Sequence, residues 1–565
     1  MTTPPRAAAP LLRLTRGTWV RRAASPGTEL LALAPRRTPA EVARVLREAP
    51  DAEAALDALA ARGESAVLEI RADGSARLLT DVNRSFPLFW RRAGSRWEIS
   101  DDVRVLASAA GSAPRADEAA AAQFAGGGLV LGERTLYRDV HRTPPDAVVE
   151  LALDASSTTL RRGHLALPAR GAVTEGAEAG ALFRDALLEA VATLVAADPD
   201  ARYLLPLSGG ADSRLLAAAF VAAGARDVQC FTYGVRPTAE VEVSRRVAEL
   251  LGLPWVFVPT PPVEVRSAWR EPATARFLGD AYTGAALPHI QDWFALRGLA
   301  AQGLLPEDRS RAVVVPGHTA VRTLKDADLL DAPELSREDL VAAIIRRHFS
   351  QAGPPRALLR DPVLRAEVEG ALDRVGYDGS PLSRARALQS VNIDGRQSTY
   401  ILNSVRGYES AGLGWAMPML DLPLHRVVAD LDWRLTRDRD WYRAMTDQVF
   451  RDTAGPGAEE LSFWVPTAVP EERRRQMKAA LSRVGLLRLA EHATSTRTNL
   501  RHPMAFEAFA PSPARYGAAV ALGTTPIGVF SRAFLEGTWN PVFDWRDPVT
   551  WGTPEVRDAL DPTDG

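Results

Sequence analysis

The sequence predicts an α/β protein: an α+β portion of short strands, then a doubly wound parallel sheet with a helical extension. Three observations predict it. Between 203 and 258, apolar strand patterns alternate with helical ones, as crossover units do. Residues 204–216 read LLPLSGGADSRLL, an apolar strand entering a glycine turn that opens a helix. Before residue 165 the apolar runs are short and separated by turn residues, as at Asp73-Gly74.

The elements follow in order. Period-2 or continuous apolar runs predict strands at 29–33, 66–71, 76–80, 86–90, 97–100, 147–153 and 160–165. Helical periodicity predicts helices at 39–48, 51–62 and 117–124, the last broken by Gly126-Gly127-Gly128. Residues 166–178 are small, bear Pro and Gly and lack period, which predicts a linker between a unit at 1–165 and one at 179–565. An amphipathic helix at 181–197 carries Leu182, Leu188, Val191 and Val195 on one face. Strand 203–207, helix 214–223, strand 228–233, helix 240–251 and strand 255–258 make the alternating run. A further buried strand at 312–315 leads into Pro316-Gly317-His318-Thr319. Beyond about 330 the pattern is helical, at 339–349, 362–375 and 397–410, and the last 30 residues read as irregular.

Composition narrows the function. At 565 residues two units are expected. The hydrophobic fraction of 46% and charged fraction of 24% are those of an ordinary globular protein. A net charge of −2 points away from nucleic acid and anionic membranes as partners. No apolar run reaches the ~18 residues of a membrane span. The N-terminus is Arg-rich and acid-poor but lacks a signal-peptide apolar core, so a cytoplasmic location is expected. The only cysteine, Cys230, rules out an intramolecular disulfide and a cysteine metal cage, and its apolar neighbours predict a small buried strand residue. Of the 68 basic residues only Lys325 and Lys478 are lysines. Arg cannot replace a compact ammonium of tunable pKa, so these two are candidates for chemistry.

Ser208-Gly209-Gly210-Ala211-Asp212-Ser213 is the strongest chemical signal. Two glycines permit close backbone approach and positive φ, and backbone N–H groups at a helix start converge on an anion. Ser208 and Ser213 add hydroxyls. Asp212 is the candidate Mg²⁺ ligand, because Mg²⁺ at phosphates takes one or two carboxylates. No Gly-Lys-Ser/Thr follows, so this is not the Walker loop.

The SGGxDS string is that of the loop with which certain enzymes cleave ATP to AMP and pyrophosphate. It resembles the synthetase domain of the glutamine-dependent asparagine synthetases, whose relatives include the β-lactam synthetases and the lasso-peptide cyclases. Further stretches resemble the group in order: TDVNRSFPLFW at 80–90, LGERTLYRDVHRTPPDAVVEL at 131–151, FTYGVRPTAEVEVSRRVAELLGLPW at 231–255 and VRGYESAGLGWAMPMLD at 405–421. In the last, Arg406 precedes Pro418-Met419-Leu420-Asp421 by twelve residues. The resemblance implies a degenerate amidohydrolase-like (Ntn-type) N-terminal unit and a C-terminal unit like the adenine-nucleotide α-hydrolases. It implies ATP and Mg²⁺ as cofactors and a carboxylate adenylated, then joined to an amine. Ser208, Gly209, Gly210 and Ser213 would cradle pyrophosphate. Phe231, Tyr233 and Gly234 would lie at the adenine. Lys478, with Arg406 second, would meet charge developing on the acyl group, and His318 would contact substrate or phosphate.

Two positions depart from the group. Glutamine-using members carry Cys directly after the initiator Met; here Thr2-Thr3-Pro4-Pro5 stands there. Thr2 is an alternative N-terminal nucleophile, but the prolines interrupt the strand it needs. An amine already on the substrate is therefore expected, as in a peptide cyclase acting with a precursor peptide and its leader-processing protein, or in a small-molecule ligase. Second, the group has a G-x-G-x-D-type turn whose acid helps hold Mg²⁺; in Gly317-His318-Thr319-Ala320-Val321 that acid is Val321, leaving Asp326 or Asp328 to substitute or Asp212 to act alone. A homologue that binds nucleotide or a partner without chemistry is the competing expectation.

Overall fold

The computed structural model describes residues 9–109, 114–154, 156–165, 167, 169, 171–322, 326–437, 439–461 and 487–548. Two sheets occupy the first 161 residues. The larger has strand order β10-β9-β5-β4-β3-β2, all antiparallel, from β2 (Val20–Ser25), β3 (Thr28–Leu33), β4 (Ala66–Arg71), β5 (Ala76–Thr80), β9 (Ala147–Leu151) and β10 (Ser157–Arg161). The smaller has order β1-β7-β6-β8, from β1 (Leu11–Arg13), β6 (Phe89–Ala93), β7 (Arg96–Ser100) and β8 (His141–Arg142).

Side-chain alternation assigns the layers. Leu31, Leu33, Leu68 and Leu78 share a core with Trp90, Trp97 and Ile99 of the smaller sheet. Leu30, Ala32, Val67 and Leu79, on the opposite face, pack on helices Pro39–Glu48 and Ala52–Ala60. Phe89 turns outward against helices Val103–Ser108 and Glu118–Gly127. The order is helix, sheet, sheet, helix.

The five-stranded parallel sheet has order β13-β12-β11-β14-β15, from β11 (Arg202–Pro206), β12 (Asp227–Gly234), β13 (Trp255–Pro259), β14 (Ala312–Val314) and β15 (Gly414–Trp415). The direction of winding reverses between β11 and β14. In such sheets that is the crevice where ligands bind, at the carboxyl ends of the strands. Cys230, on β12, is fully buried, and burial pushes its thiol up to about 12.

Several expectations needed correction. The strand expected at 86–90 begins at Phe89, because the preceding residues are wound onto Asp81, which accepts the N–H groups of Ser65, Asn83 and Ser85. In the long helix Gly176–Ala197 the buried stripe is Ala179, Phe183, Leu187, Val191 and Leu194, while Leu182 is exposed. The predicted linker is tied down: Ala169 donates to Leu431 and Val173 to Asp430, and Trp433 donates back to Ala169. The helix expected at 397–410 continues Pro381–Asn392 as a wide i→i+5 helix, Ile393–Ile401, then a tight turn, Leu402–Ser404, then Val405–Ser410. The sequence pattern does not predict strands β1, β2, β8 and β15; three of them, β1, β8 and β15, are three residues or fewer with no pattern to read, and β15 closes a sheet edge. The described part of the C-terminal tail packs Trp539, Phe543 and Trp545 into a second core with Trp269, Trp293 and Phe509.

Candidate functional site

Strand β11 ends at Pro206, and the chain turns through Leu207 to Gly210 before helix Ala211–Ala222 begins. The turn is held internally. Ser208 N–H donates to Ser213 Oγ at 3.0 Å, and Gly210 N–H donates to Ser208 Oγ at 3.2 Å. The two hydroxyls lie 3.0 Å apart. The helix has no side-chain cap, so its first N–H groups remain available to an anion. Neither Gly209 nor Gly210 has positive φ, contrary to expectation. The glycines serve close approach instead: a Cβ on Gly209 would stand 3.0 Å from Glu240 Cγ, and one on Gly210 would stand 3.3 Å from Ser208 Oγ.

Across the crevice, the loop after β14 brings Gly317 against this turn, where an added Cβ would stand 3.1 Å from Ser213 N. His318 is half-buried, and desolvation holds its imidazole below the usual range against the pull of Asp292 and Asp212. Its Nε2 lies 3.1 Å from Ser404 Oγ. A polar cavity of about 530 Å³ opens beside these residues, with Asp212, His318, Arg322, Arg396 and Arg439 in its wall. The wide helix Ile393–Ile401 supplies Arg396, Gln397, Ser398 and Ile401 to it. Helices of this kind are rare and recur at functional sites.

Asp212 faces Arg439, which stands just before helix Asp440–Ala454. Both guanidinium nitrogens reach the carboxylate, one of them at 3.3 Å. The guanidinium also lies 4.3 Å from the ring centroid of the buried Tyr442. Burial opposes the charge on Arg439 but Asp212 outweighs it, so its pKa is raised. Nothing in the sequence pattern marks Arg439, whose partner lies 227 residues away.

This donor set does not fit a protein-held Mg²⁺. Among the described residues Asp212 is the one carboxylate in the cavity wall, and it is already occupied by a guanidinium. Val321 is buried in the core, Asp326 pairs with Arg347, and Asp328 is exposed. No cluster of three or more His, Cys, Asp or Glu suited to a metal occurs among the described residues. A phosphate fits better, at the uncapped helix start.

The remaining predicted residues are dispersed. Phe231 is fully buried, and its carbonyl accepts from Leu207 N–H. Tyr233 donates to Asp292, as does Tyr408, and burial together with Asp292 raises both phenols well above their usual value. Gly234 lies at the end of β12, where Thr260 N–H donates to its carbonyl and Pro503 O accepts from Val235 N–H. Residues 502–505 therefore cover that strand end. Arg406 lies outside the cavity, buried between Phe86 and Trp415, and bonds Glu409 and Ser85 O. Lys478 and Thr2 lie outside the described residues, as does Lys325.

The segment 418–421 is anchored from the N-terminal sheets. Asn83 donates to Leu420 O at 2.7 Å, and Arg36 pairs with Asp421 at 3.1 Å. Burial pushes the Asp421 carboxyl up to about 7; Arg36 pulls it down and nearby Glu64 pushes it up. An acid raised in the folded state holds its proton between its unfolded value near ~4 and about 7. Folding thus binds a proton in that window, and this group's contribution to stability falls as pH rises through it. Urea midpoints at pH 5 and pH 8 should therefore drop more in wild type than in Asp421→Asn. Parallel profiles in the two proteins would exclude this titration.

No curated protein matches the chain. Residues 182–276, which contain helix Ala211–Ala222, the Ser208–Ser213 turn and strands β11 to β13, match the family model described as asparagine synthase. That match makes this stretch similar to the asparagine synthases, a family of ATP-dependent, amide-forming ligases.

Proposed function

We propose that this chain is an ATP-dependent amide ligase that forms AMP and pyrophosphate and has no glutaminase activity. The observation that carries the reading is the uncapped helix start at Ser208–Ser213, placed at the reversal point of the sheet and beside a polar cavity. In the first step a carboxylate oxygen bonds to the α-phosphorus and pyrophosphate leaves. The helix N–H groups and the Ser208 and Ser213 hydroxyls receive the departing negative charge, which is the main demand of phosphoryl chemistry. In the second step an amine nitrogen bonds to the acyl carbon, AMP leaves with the bonding pair, and the amine loses a proton. His318, held neutral by desolvation and lining the same cavity as Asp212, is our candidate base. Lys478 is our candidate for the cation at the acyl oxygen, on its rarity and the group resemblance alone.

The helix–sheet–sheet–helix order before residue 162 supports reading 1–165 as a degenerate amidohydrolase-like (Ntn-type) unit, joined by 166–178 to a synthetase unit at 179–565. The absent Cys supports an amine that arrives on the substrate, either on a precursor peptide delivered by a leader-processing protein or on a small molecule. A cytoplasmic location accords with the lack, among the described residues, of a helix long and apolar enough to cross a membrane.

Hydroxylamine traps acyl-adenylates. The full chain with ATP, hydroxylamine and a panel of carboxylic acids should release AMP and form hydroxamate with at least one acid. The Arg439–Asp212 pair and Val321 favour a second reading, a nucleotide-binding homologue without chemistry. ATP binding by calorimetry, with no AMP across the panel, would establish that reading instead. Absence of ATP binding defeats both.

A further inference from the structure

We infer that the cavity beside Asp212 binds its acid as an organic polyanion, a carboxylic acid bearing at least one further carboxylate or phosphate and no ammonium group. The inference rests on the ligase reading for the fate of the acid, but the binding itself does not. Among the described residues four arginines line the cavity. Arg439 is neutralised by Asp212 and Arg347 by Asp326. Arg322 and Arg396 have no carboxylate partner among the described residues. Arg322 donates one bond, to Ala320 O, and its buried Nε has none. Burial pushes the Arg322 guanidinium down to about 10, still charged at neutral pH. Arg396 lies over the Tyr400 ring, presented by the wide helix. Two positive charges are therefore left over in the cavity wall.

The neutral groups agree. His348 is held uncharged by burial and by Arg347 and Arg396, at about 3, and its buried Nε2 has no partner among the described residues. Gln351, Gln397 and Asn392 supply further neutral polar groups. Half-buried guanidiniums without countercharge, as Arg322 and Arg396 are, carry a desolvation cost that a bound anion would offset. An ammonium group would find no free carboxylate in this wall, since Asp212 is taken, and would meet two guanidiniums instead. A volume of about 530 Å³ admits an acid of metabolite size with water. The remote anion on Arg322 and Arg396 would then hold the reacting carboxylate at the Ser208–Ser213 turn, turning binding into position.

Calorimetry on the full chain at fixed ionic strength tests this with four probes: citrate, 3-phosphoglycerate, butyrate and glutamate. Citrate or 3-phosphoglycerate should bind at least tenfold more tightly than butyrate or glutamate, and which of the two is preferred separates carboxylate from phosphate as the second anion. Arg322→Gln and Arg396→Gln should each weaken the preferred probe tenfold or more; Arg396, on a separate element, guards against a folding failure at Arg322. Equal binding of butyrate, tight binding of glutamate, or insensitivity to both substitutions overturns the inference. ATP titrated into wild type in parallel keeps the two ideas apart. ATP binding without polyanion binding removes this inference and leaves the ligase reading, and the converse removes the ligase reading alone.

Discussion

Glu409→Gln should cost about 3 kcal/mol of folding stability at pH 7, toward the low end for breaking a buried ion pair because the carboxylate keeps a little solvent contact. Arg16 donates two bonds to Glu409, at 2.9 and 2.8 Å, and Arg406 donates two more, at 2.6 and 2.7 Å. Trp415 Nε1 adds a fifth, at 2.9 Å. Burial works against this carboxylate, yet the two guanidiniums hold its pKa well below the usual range. The amide of Gln keeps the shape and removes the charge, leaving the buried Arg406 and half-buried Arg16 guanidiniums without their shared anion. A depressed acid contributes stability above its unfolded pKa and loses it only as pH falls through the depressed value. The deficit should therefore be constant from pH 6 to 8 and shrink in strong acid. Urea unfolding of both proteins across that range measures it, and a deficit under about 0.5 kcal/mol at pH 7, as for a surface pair, would contradict the assignment.

That network also explains why Arg406 belongs to architecture. It joins the segment after β1, through Arg16, to the helix before β15, through Glu409, and bonds the Asp81 turn at Ser85 O. A second set of contacts ties the segment 418–421 to the same turn, through Asn83 to Leu420, and to the loop after β3, through Arg36 to Asp421. Met419 O in turn accepts from Ala320 N–H, in the loop that carries His318. The N-terminal sheets are thus bonded through 418–421 to the loop facing Asp212. Asn83 and Leu420 themselves lie in the wall of the cavity beside Asp212.

What was legible in the sequence follows from range. The Ser208–Ser213 turn, strands β11 to β13 and helix Pro39–Glu48 with its Thr38–Glu41 capping box are written in residues a few positions apart. Local pattern finds those. Arg439 at Asp212, Asp292 between two tyrosines and Pro503 at the end of β12 are pairings across 59 to 227 residues or more, and periodicity carries no trace of them. Rarity singled out Lys478, whose surroundings lie outside the described residues. The long amphipathic helix shows the intermediate case. Its existence was plain, but several apolar stripes fit it, and its tertiary partners, helix Asp440–Ala454 with Ala211–Ala222 and Leu422–Ala429, select Ala179, Phe183 and Leu187 over Leu182.

Arg439→Ala should make nucleotide binding dependent on a divalent cation. In wild type the Asp212 carboxylate is neutralised by a fixed guanidinium, so ATP approaching the helix start meets no unpaired negative charge. Its affinity should differ by less than about threefold between excess Mg²⁺ and EDTA, since no carboxylate is free to hold the metal. Removing the guanidinium exposes Asp212 to the phosphates. In EDTA the variant should bind ATP about 10- to 100-fold more weakly, the range for losing a charge-assisted bond and gaining a like-charge contact. With Mg²⁺ restored, the freed carboxylate gains the cation it lacks, and most of that affinity should return. Asp212→Asn in the wild-type background gives the control: it removes the repulsion without freeing a ligand, so Mg²⁺ should change little. Calorimetric titrations of the three proteins, each with metal and with chelator, decide the matter. If wild type binds ATP only with Mg²⁺, Arg439 must leave Asp212 on binding, and the guanidinium is a gate for the metal rather than its replacement.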